Sequence, residues 1–430
     1  MSSAAEIIPD RLFWISERSP PRNKPKSCFF TIDNELVYEP FCEDFGPVNL
    51  SMVYRFCTQL DRLLKDPRYR DYHIYHYCSV DPTKRANAAF LMGAFQIVIM
   101  KKTANEAWRP FALLPSFMAF RDASYGPCYY ECTILHCLRG LDRAIRLGWF
   151  DYQRFDLQFS EFHEKIENGD ISWVIPGKLL AFSCPSERKE MGICNYTPEE
   201  YSLLFRKLGV SAVVRLNNKT YDEQRFIRNG INLFELFFVD GSVPSEEIVN
   251  RFNSIVEMEM GAVAVHCKAG LGRTGTLIGC YAIKNYHFPA EEFIGWCRIC
   301  RPGSVLGPQQ QFLIEYDLKT HRTYSVRDIT NQISALSVEY SPSDRAKAVY
   351  GDQGQAQRLL TAKKAHRTPQ SSPIPSVDRP RASTPAYDRP TVHTKIEQSP
   401  TRSPFKRPFQ SSREYFSQYS PVHVNYGYRN

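Results

Sequence analysis

The 430-residue sequence predicts an α/β protein with two tandem domains, each a central, mostly parallel sheet with flanking helices, joined by a linker helix and followed by a disordered tail. Three observations lead to this prediction. Short apolar runs alternate with helical segments from Trp173 to about His321, a pattern typical of parallel-sheet domains. A motif in that region has a degenerate copy 188 residues earlier, and the composition changes beyond about Tyr340.

The first domain is predicted to span residues 1–152. It mixes β-rich runs such as His73 to Tyr77 with helical stretches such as Thr133 to Leu147. Its longest apolar run, Ala88 to Met100, would be ~20 Å long as a helix, which is too short to cross a hydrocarbon core of ~30 Å. We therefore expect a buried helix there and no membrane span.

A linker helix is expected in residues 153–170, around Ser160 to Asn168, and Gly169 should end it. The second domain, residues 171–325, should contain the larger parallel sheet. Its strands are predicted from the apolar runs Leu179 to Phe182, Ala212 to Leu216, Leu233 to Phe238 and Ala262 to Val265.

The tail, residues 326–430, is predicted to be disordered because it is rich in proline and poor in aliphatic clusters. Residues 331–430 carry 15 Lys and Arg against 7 Asp and Glu, whereas the first 330 residues carry 39 of each kind. The body of the protein is therefore neutral, which argues against a nucleic-acid-binding protein.

The 13 cysteines are an odd number without paired spacings, and the first residues lack the basic and apolar regions of a signal peptide. Both features favour a reducing, intracellular setting. The CxxC pair Cys297 and Cys300 has no second pair that could complete a four-ligand zinc site. We expect these two cysteines on the apolar face of a helix, and we expect no metal ion or other cofactor.

The residues that carry chemistry concentrate in the segment Val265 to Gly275, which reads VHCKAGLGRTG. A glycine-rich loop between a strand and a helix N-terminus binds anions, because its backbone N–H groups and the helix dipole favour negative charge. Such a loop favours the thiolate form of Cys267, which is the nucleophilic form. The residues expected to line the phosphate with their backbone are Lys268, Ala269, Gly270, Leu271 and Gly272.

Three neighbours of the cysteine have expected roles. Arg273 presents a planar fork that can hold two phosphate oxygens. The hydroxyl of Thr274 should donate a hydrogen bond to the cysteine sulfur and stabilise it as a leaving group. His266 is expected to support the loop rather than act as a base, because an ionised thiol needs no proton acceptor.

A phosphate ester also needs a group that protonates its leaving oxygen. Asp240 follows a predicted strand and precedes Gly241, so it should lie at the carboxyl edge of the sheet, where parallel sheets bind ligands. We expect Asp240 to act first as an acid and then as a base; the alternative is that it only caps the turn. Gln309 is a candidate for orienting water, although the run Gln309 to Gln311 leaves the choice open.

This set of residues resembles that of the protein tyrosine and dual-specificity phosphatases. Four stretches are similar, more narrowly, to the cell-division-cycle-fourteen family of mitotic-exit dual-specificity phosphatases: His266 to Ile278, Arg298 to Leu313, Phe237 to Gly241 and Arg85 to Leu91. The resemblance covers about residues 8–320. It implies two tandem phosphatase-like domains, of which the second is catalytic, and hydrolysis of phosphotyrosine and of phosphoserine or phosphothreonine, with a preference for phosphoserine followed by proline and a downstream basic residue.

The resemblance also implies partners and a location. The substrates would be phosphoproteins modified by proline-directed kinases in cell-cycle control, in the nucleus and cytoplasm, including the spindle or centrosome. An acidic groove at the domain interface would receive the basic residue of the substrate. Glu161 and Glu164 match its acidic positions and, three residues apart on a helix, would face one way; the alternative is a solvated helix face.

The internal copy supports the tandem arrangement. A shift of 188 residues aligns Ser79 with Cys267 and Arg85 with Arg273, and each of these arginines precedes a tryptophan by 23 residues. The first loop has no glycine, lacks the thiol and carries Asp81 where an anion would bind. We therefore interpret the first domain as a non-catalytic copy.

Two other functions use the same residues. A phosphoinositide phosphatase would have a second lysine where Leu271 stands, although Lys268 keeps that alternative open. A scaffold that only binds phosphoproteins is the other. Of seven Ser-Pro or Thr-Pro pairs after residue 340, only those at Ser399 and Ser403 have a basic residue three positions later. Our hypothesis is that the tail is regulatory, phosphorylated at these two serines and dephosphorylated through Cys267; the alternative is a flexible tail with chance Ser-Pro pairs.

Overall fold

The computed structural model describes residues 3–126, 128–189, 192, 194–321 and 354–365. These residues contain a four-stranded sheet in the first part of the chain and a five-stranded sheet in the second. Both sheets are mixed, with one antiparallel edge strand and otherwise parallel pairing. The predicted α/β class with two sheet-centred units is confirmed.

The first sheet has the order β1-β2-β4-β3. Its strands are β1 (Ser3–Ile8), β2 (Leu12–Ser16), β3 (Ser27–Phe30) and β4 (His73–Cys78). The helices of this unit are α1 (Leu50–Lys65), α2 (Pro82–Val98), α3 (Ala104–Trp108) and α4 (Ile134–Arg146). The expected buried helix is α2, in which every residue from Ala86 to its end at Val98 is buried; the predicted run continued to Met100.

The second sheet has the order β5-β6-β9-β7-β8. Its strands are β5 (Ile171–Ile175), β6 (Leu179–Phe182), β7 (Val210–Arg215), β8 (Asn232–Glu235) and β9 (Ala262–His266). The helices in and before this unit are α5 (Leu157–His163), α6 (Pro198–Lys207), α7 (Gln224–Ile227), α8 (Glu246–Met258), α9 (Gly272–Tyr286), α10 (Ala290–Cys300) and α11 (Pro308–His321).

Strand β8 is shorter than the predicted run, which extended to Phe238. The chain leaves the sheet after Glu235, although Leu236 N–H still donates to the carbonyl of Arg215 at 2.9 Å. The residues beyond that point are drawn toward α9, because the carbonyl of Phe238 accepts a hydrogen bond from Arg273 at 2.9 Å. This departure brings Asp240 over the loop that precedes α9.

The two sheets repeat one topology. Strands β1, β2, β4 and β3 pair in the same order and directions as β5, β6, β9 and β7, and only β8 has no counterpart. In both units the strand before the candidate loop, β4 or β9, lies inside the sheet and leads directly to a buried helix. This repetition agrees with the internal copy found in the sequence.

The two units pack through α4 and α10. A side chain on Gly140 of α4 could not be accommodated, because its Cβ would lie 2.3 Å from the carbonyl oxygen of Glu292 in α10. Arg143 of α4 also pairs with Glu292 of α10 at 2.6 Å. The absence of a side chain at Gly140 therefore lets the two backbones meet closely.

The predicted linker helix is shorter than expected and lies earlier in the chain. It runs over Leu157–His163 and is followed by a 3₁₀ turn at Ile166–Asn168. Asp156 begins the helix by accepting a hydrogen bond from Phe159 N–H at 2.8 Å, a local cap that the prediction overlooked. Gly169 ends the segment as predicted, with a φ of 104° that favours glycine.

The prediction of a disordered tail is wrong for one segment. Residues Gln355–Ala365 form a helix, α12, which packs against the second unit. Its sequence consists largely of strong helix formers, and its leucines give it an apolar side to bury. The remaining tail residues, including Ser399 and Ser403, lie outside the described residues. Within the described residues no helix is long and apolar enough to cross a membrane.

Candidate active site

The glycine-rich loop lies at the end of the central strand of the second sheet. All five residues of β9 are buried between β6 and β7, and α9 begins at Gly272. Cys267 is therefore held at the carboxyl end of a buried strand, beneath a helix N-terminus. The loop residues Ala269 to Gly272 are also buried, whereas Lys268 is partly exposed.

Glycine is required at position 270. Its φ is +67°, and a Cβ there would lie 2.0 Å from the carbonyl oxygen of Phe182. A side chain at Gly272 would likewise lie 2.8 Å from Oε1 of Gln309. The loop can therefore curl tightly only because residue 270 has no side chain, whereas a side chain at position 272 would displace the ends of neighbouring side chains.

Arg273 is 3% exposed and is oriented by the ends of two strands. Its Nη1 donates to the carbonyls of Phe238 and Leu216 at 2.9 and 3.3 Å, and its Nη2 lies 3.2 Å from Oδ1 of Asp240. Its Nε is buried without a hydrogen-bond partner among the described residues. The guanidinium thus keeps donor capacity for an oxyanion at the loop.

Asp240 is the acidic side chain that faces the loop. Its side chain is 31% exposed, so it remains accessible to solvent while contacting Arg273. Its second oxygen, Oδ2, accepts a hydrogen bond from the backbone N–H of Ala356 in α12 at 3.0 Å. Asp240 is therefore held between the guanidinium of Arg273 and a backbone N–H of α12.

His266 supports the loop from inside the sheet. Its Nδ1 lies 2.9 Å from the carbonyl oxygen of Cys267, and its Nε2 lies 2.6 Å from the hydroxyl of Tyr221. Burial lowers the pKa of His266 to about 3, so the ring is neutral at physiological pH. These contacts fit the structural role expected for it.

The hydroxyl of Thr274 does not make the expected hydrogen bond to the cysteine sulfur. Its oxygen is fully buried and has no hydrogen-bond partner among the described residues. Thr274 is the third residue of α9, so the helix backbone determines where its hydroxyl lies. Leaving a buried hydroxyl unpaired costs about 1–3 kcal/mol.

The three glutamines after Pro308 have different environments. Gln309 is 1% exposed and joins two loops: its Nε2 donates to the carbonyl of Ser242 at 3.0 Å, and its Oε1 accepts from Leu306 N–H at 3.2 Å. Gln310 accepts from the buried Arg298 at 2.6 Å. Gln311 is exposed and contacts Glu315 on its own helix. Of the three, Gln309 is therefore the one beside both Gly272 and the loop that carries Asp240.

Glu161 and Glu164 both face the first unit, and each has a partner there. Glu161 forms a two-point ion pair with Arg55, including a contact of 2.6 Å to Nη2. Glu164 accepts a hydrogen bond from the side chain of Asn49 at 2.9 Å. The expectation that they face one way holds, but the charge of Glu161 is largely compensated by Arg55.

A third carboxylate in this region, that of Asp170, was not predicted from the sequence. Asp170 is buried, and its side chain is paired with Arg301 at 3.0 Å and with Lys363 of α12. Burial opposes ionisation of Asp170, but the charges of Arg301 and Lys363 outweigh burial and lower its pKa. Its place directly after Gly169, at the junction of the two units, was the one sequence signal that could have identified it.

Helix α12 covers part of the glycine-rich loop. Ala356 and Leu359 are each 3% exposed and pack with the loop residues Ala269 and Leu271 and with Leu306. One end of the helix contacts Asp240 and the other contacts Asp170. The run QAQRLLTAKKA favours helix, so its helicity could have been predicted, whereas its docking could not.

The corresponding loop of the first unit is filled by its own side chains. Asp81 accepts hydrogen bonds at 3.0 Å from the N–H groups of Thr83 and Lys84, which cap α2 where an anion would otherwise bind. A hydrogen bond from the hydroxyl of Thr83, together with these two backbone hydrogen bonds, lowers the pKa of Asp81. Arg85 points away, donating to the carbonyls of Pro115 and Ser116 at 2.7 Å. The copy therefore lacks an anion site as well as a thiol.

The CxxC pair lies on α10. Cys297 is buried, and a Cβ on Gly275 would be 3.4 Å from its sulfur, so it packs against the start of α9. Cys300 is partly buried near the end of the same helix. In the part of the chain that the structure describes, no group of three or more His, Cys, Asp or Glu side chains could hold a metal ion.

Comparisons with known proteins match both parts of the chain. A family model described as "Dual specificity protein phosphatase, N-terminal half" matches residues 6–144, and one described as "Polymorphic toxin system, DSP-PTPase phosphatase" matches residues 188–287. Among solved structures, the active form of Tk-PTP is 22% identical and covers 35% of this chain and 96% of its own, with a TM-score of 0.30.

Two human relatives illustrate the sequence similarity. The dual specificity protein phosphatase CDC14A of Homo sapiens is 50% identical over 318 residues, which are 73% of this chain and 53% of that protein. The human CDC14C is 45% identical over 311 residues, covering 71% of this chain and 69% of that protein. The chain thus spans about half the length of CDC14A and just over two thirds of CDC14C.

Proposed function

This chain belongs to the CDC14 family of dual-specificity protein phosphatases, and from that premise we propose that it hydrolyses phosphate esters on proteins through a phosphocysteine intermediate on Cys267. One arrangement supports the proposal above all others. Arg273 lies six residues after Cys267 in a buried glycine-rich loop and 3.2 Å from Asp240, which lies on the loop after β8. This arrangement supports the assignment of Cys267 as nucleophile, Arg273 as oxyanion binder and Asp240 as acid.

In the first step the thiolate of Cys267 attacks phosphorus, and the bond from phosphorus to the substrate oxygen breaks. Asp240, in its protonated form, donates its proton to that leaving oxygen. The unpaired Nε of Arg273 and the N–H groups of the loop hold the equatorial phosphate oxygens as charge spreads over them.

In the second step water attacks the phosphorus of phosphocysteine, and the sulfur–phosphorus bond breaks. Asp240, now a carboxylate, accepts the proton of that water. We assign Gln309 to orient the water, a role supported by its contact with the Asp240 loop through Ser242. The buried hydroxyl of Thr274 finds its partner in the sulfur as the thiolate leaves, which would explain why it is unpaired here.

Steady-state turnover tests the function directly. The full-length protein should release phosphate from an aryl phosphate, a phosphotyrosine peptide and a phosphoserine-proline peptide with a downstream lysine. A short-chain soluble phosphoinositide should be hydrolysed far more slowly, because Leu271 is buried among Leu306 and Leu359 and supplies no cation. A higher kcat/KM for the phosphoinositide would replace this proposal with a lipid phosphatase, and no turnover of any ester would favour a phosphoprotein-binding scaffold.

We further propose that the substrates are phosphoserine-proline sites followed by a basic residue, as left by proline-directed kinases. The contact of Lys363 with Asp170 supports this preference. It is made by a lysine from a separate segment of the chain, and a lysine of a bound substrate peptide would make the same contact in its place. In this proposal Asp170 is the main acceptor of the basic residue. Asp170 binds a lysine in addition to its buried partner Arg301, whereas Glu161 and Glu164 contact side chains of the first unit, so we assign these two only long-range attraction.

Replacing Asp170 with asparagine should reduce discrimination between peptides that have lysine or alanine three positions after phosphoserine. The expected loss is about tenfold in the ratio of the two kcat/KM values, because a hydrogen bond to a charged group is worth about 1.5–3 kcal/mol. Taking the ratio cancels any general loss of activity. The measurement is initial-rate kinetics with both peptides.

The matched control is Glu161→Gln, for which we expect less than about a twofold change, since partly exposed ion pairs contribute about 0–1 kcal/mol. If Glu161→Gln erased the preference and Asp170→Asn did not, the basic residue would be recognised on the linker helix instead. Reversing both Glu161 and Glu164 to lysine should mainly reduce the salt sensitivity of peptide turnover.

The first unit should not regain activity when its missing thiol is supplied. In a Cys267→Ser protein, adding Ser79→Cys should produce no turnover above the single variant, because Asp81 occupies the helix N-terminus and Arg85 is turned away. Phosphate release from an aryl phosphate measures this. Activity in the double variant would mean that the first loop can still bind an anion.

The tail is proposed to be regulatory. Helix α12 contacts Asp240 and the phosphate loop, so a peptide that approaches the same surface must displace it at least at Asp240. Phosphorylation at Ser399 and Ser403, outside the described residues, would add about −1.5 to −2 charge each to the basic tail. We also propose that the protein acts in cell-cycle control, in the nucleus and the cytoplasm.

A further inference from the structure

Arg301 lies directly behind the phosphate loop, at the end of α10. It is 2% exposed. Its Nε donates to the carbonyl oxygen of Gly270 at 2.6 Å, and its Nη2 donates to that of Ala269 at 3.3 Å. One guanidinium therefore holds two consecutive peptide groups of the loop.

The direction of those carbonyls determines the direction of the adjoining N–H groups. In a planar trans peptide group the C=O and the N–H point to opposite sides. Because the carbonyls of Ala269 and Gly270 point to Arg301, the N–H groups of Gly270 and Leu271 point away from it, out of the far side of the loop. Donors that line an oxyanion must have this orientation before the oxyanion arrives.

Arg301 is itself held by a buried acid. Its Nη1 and Nη2 contact the two carboxylate oxygens of Asp170 at 3.1 and 3.0 Å, and its Nη1 also donates to the carbonyl of Asp170 at 2.9 Å. The hydroxyl of Ser172 accepts at 3.2 Å. Because the planar guanidinium of Arg301 has hydrogen-bond partners on two sides, it has little freedom to rotate.

We propose that Arg301 is a positioning residue for phosphate binding: it holds the carbonyls of Ala269 and Gly270 and thereby aims the N–H groups of Gly270 and Leu271 at the phosphate. Asp170 keeps Arg301 in place. The inference rests on the proposed phosphatase function and adds to it a residue that does not touch substrate. It also means that one carboxylate serves both the phosphate loop and the subsite for the basic residue.

The test uses the full-length protein with Arg301→Lys, which keeps the positive charge beside Asp170 but cannot hold two carbonyls and a carboxylate at once. Binding of tungstate, an unreactive phosphate analogue, is measured by competitive inhibition and by the rise in Tm with tungstate concentration. We expect about tenfold weaker tungstate binding, which corresponds to about 1.4 kcal/mol. For an aryl phosphate, KM should rise and kcat should fall, since the phosphate is held less well in both states.

Arg11→Lys is the matched control. Arg11 also donates to backbone carbonyls, including those of Leu64 at 3.0 Å and Tyr69 at 2.5 Å, but it lies in the first unit, outside the phosphate loop. Its variant can lose thermal stability, yet its affinity for tungstate should stay within about twofold of the wild type, below 0.5 kcal/mol. A general loss of stability would weaken tungstate binding in both variants, whereas a loss of loop orientation would weaken it only in Arg301→Lys.

The outcomes separate this inference from the proposed function. If wild type neither binds tungstate nor hydrolyses an aryl phosphate, the proposed function fails. If wild type does both and folded Arg301→Lys binds tungstate as well as Arg11→Lys does, the positioning role is wrong. Should Arg301→Lys not fold, Asp170→Asn replaces it: tungstate binding weakened about threefold supports the role, and unchanged binding overturns it.

Discussion

Replacing Cys267 with serine is expected to abolish turnover while leaving phosphopeptide binding intact. A serine hydroxyl stays protonated at neutral pH and cannot form the covalent intermediate, whereas the loop N–H groups and Arg273 do not depend on the sulfur. We expect activity below about 1% of wild type on every phosphate ester, a loss of more than about 100-fold. Initial rates with an aryl phosphate and a binding titration with a phosphoserine peptide measure the two effects.

Cys28→Ser is the control for this experiment. Cys28 is partly buried in β3 of the first unit, so its replacement changes the same atom far from the loop and should leave kcat/KM unchanged. Mass spectrometry of acid-quenched wild-type protein should detect a phosphate adduct on Cys267. Residual turnover above about 1% in Cys267→Ser, with no adduct in wild type, would rule out the covalent assignment.

Replacing Asp240 with asparagine should slow hydrolysis of phosphoserine peptides by about 10²- to 10⁴-fold, the usual contribution of a general acid. Loss on an aryl phosphate with a weakly basic leaving group should be much smaller, because that leaving group departs without a proton. Asparagine keeps an oxygen that can accept from Ala356 N–H, so the contact with α12 is preserved. The measurement is kcat for both substrates across a pH series.

The ratio of the two losses distinguishes an acid from a turn cap. An equal decrease on both esters would indicate that Asp240 only shapes its loop. Asp222→Asn is the matched control, since Asp222 is an aspartate that does cap a turn, accepting from Gln224 N–H at 3.1 Å. We expect that variant to retain wild-type rates on both substrates.

The chemistry of the site was predictable because most of it lies in one short segment. The proposed nucleophile, the loop glycines and the arginine proposed to bind phosphate lie within Cys267 to Arg273, so local geometry brings them together once a buried strand precedes them and a helix follows. The degenerate copy was predictable for the same reason. Its missing glycines and Asp81 are visible in the sequence, and the structure adds how Asp81 caps α2.

Groups that reach the site from distant segments were predicted only in part. Asp240 could be placed because strand ends meet at one edge of a parallel sheet. The choice among three consecutive glutamines could not be made, because it depends on which side of α11 faces Gly272 and Ser242. The pairing of Glu161 with Arg55 depends on how the linker packs against α1, 106 residues away in sequence.

The sequence by itself determined the α/β class, the tandem arrangement and the short segment proposed to be catalytic, because hydrophobic periodicity and backbone chemistry act over a few residues. Only the tertiary structure decided that Arg301 and Asp170 stand behind the phosphate loop, 131 residues apart, and that α12 returns from the tail to cover it. Those contacts depend on the simultaneous burial of charges and apolar side chains from distant segments. The packing of the whole molecule determines which cation pairs with a buried carboxylate, so this pairing cannot be predicted from a local sequence pattern.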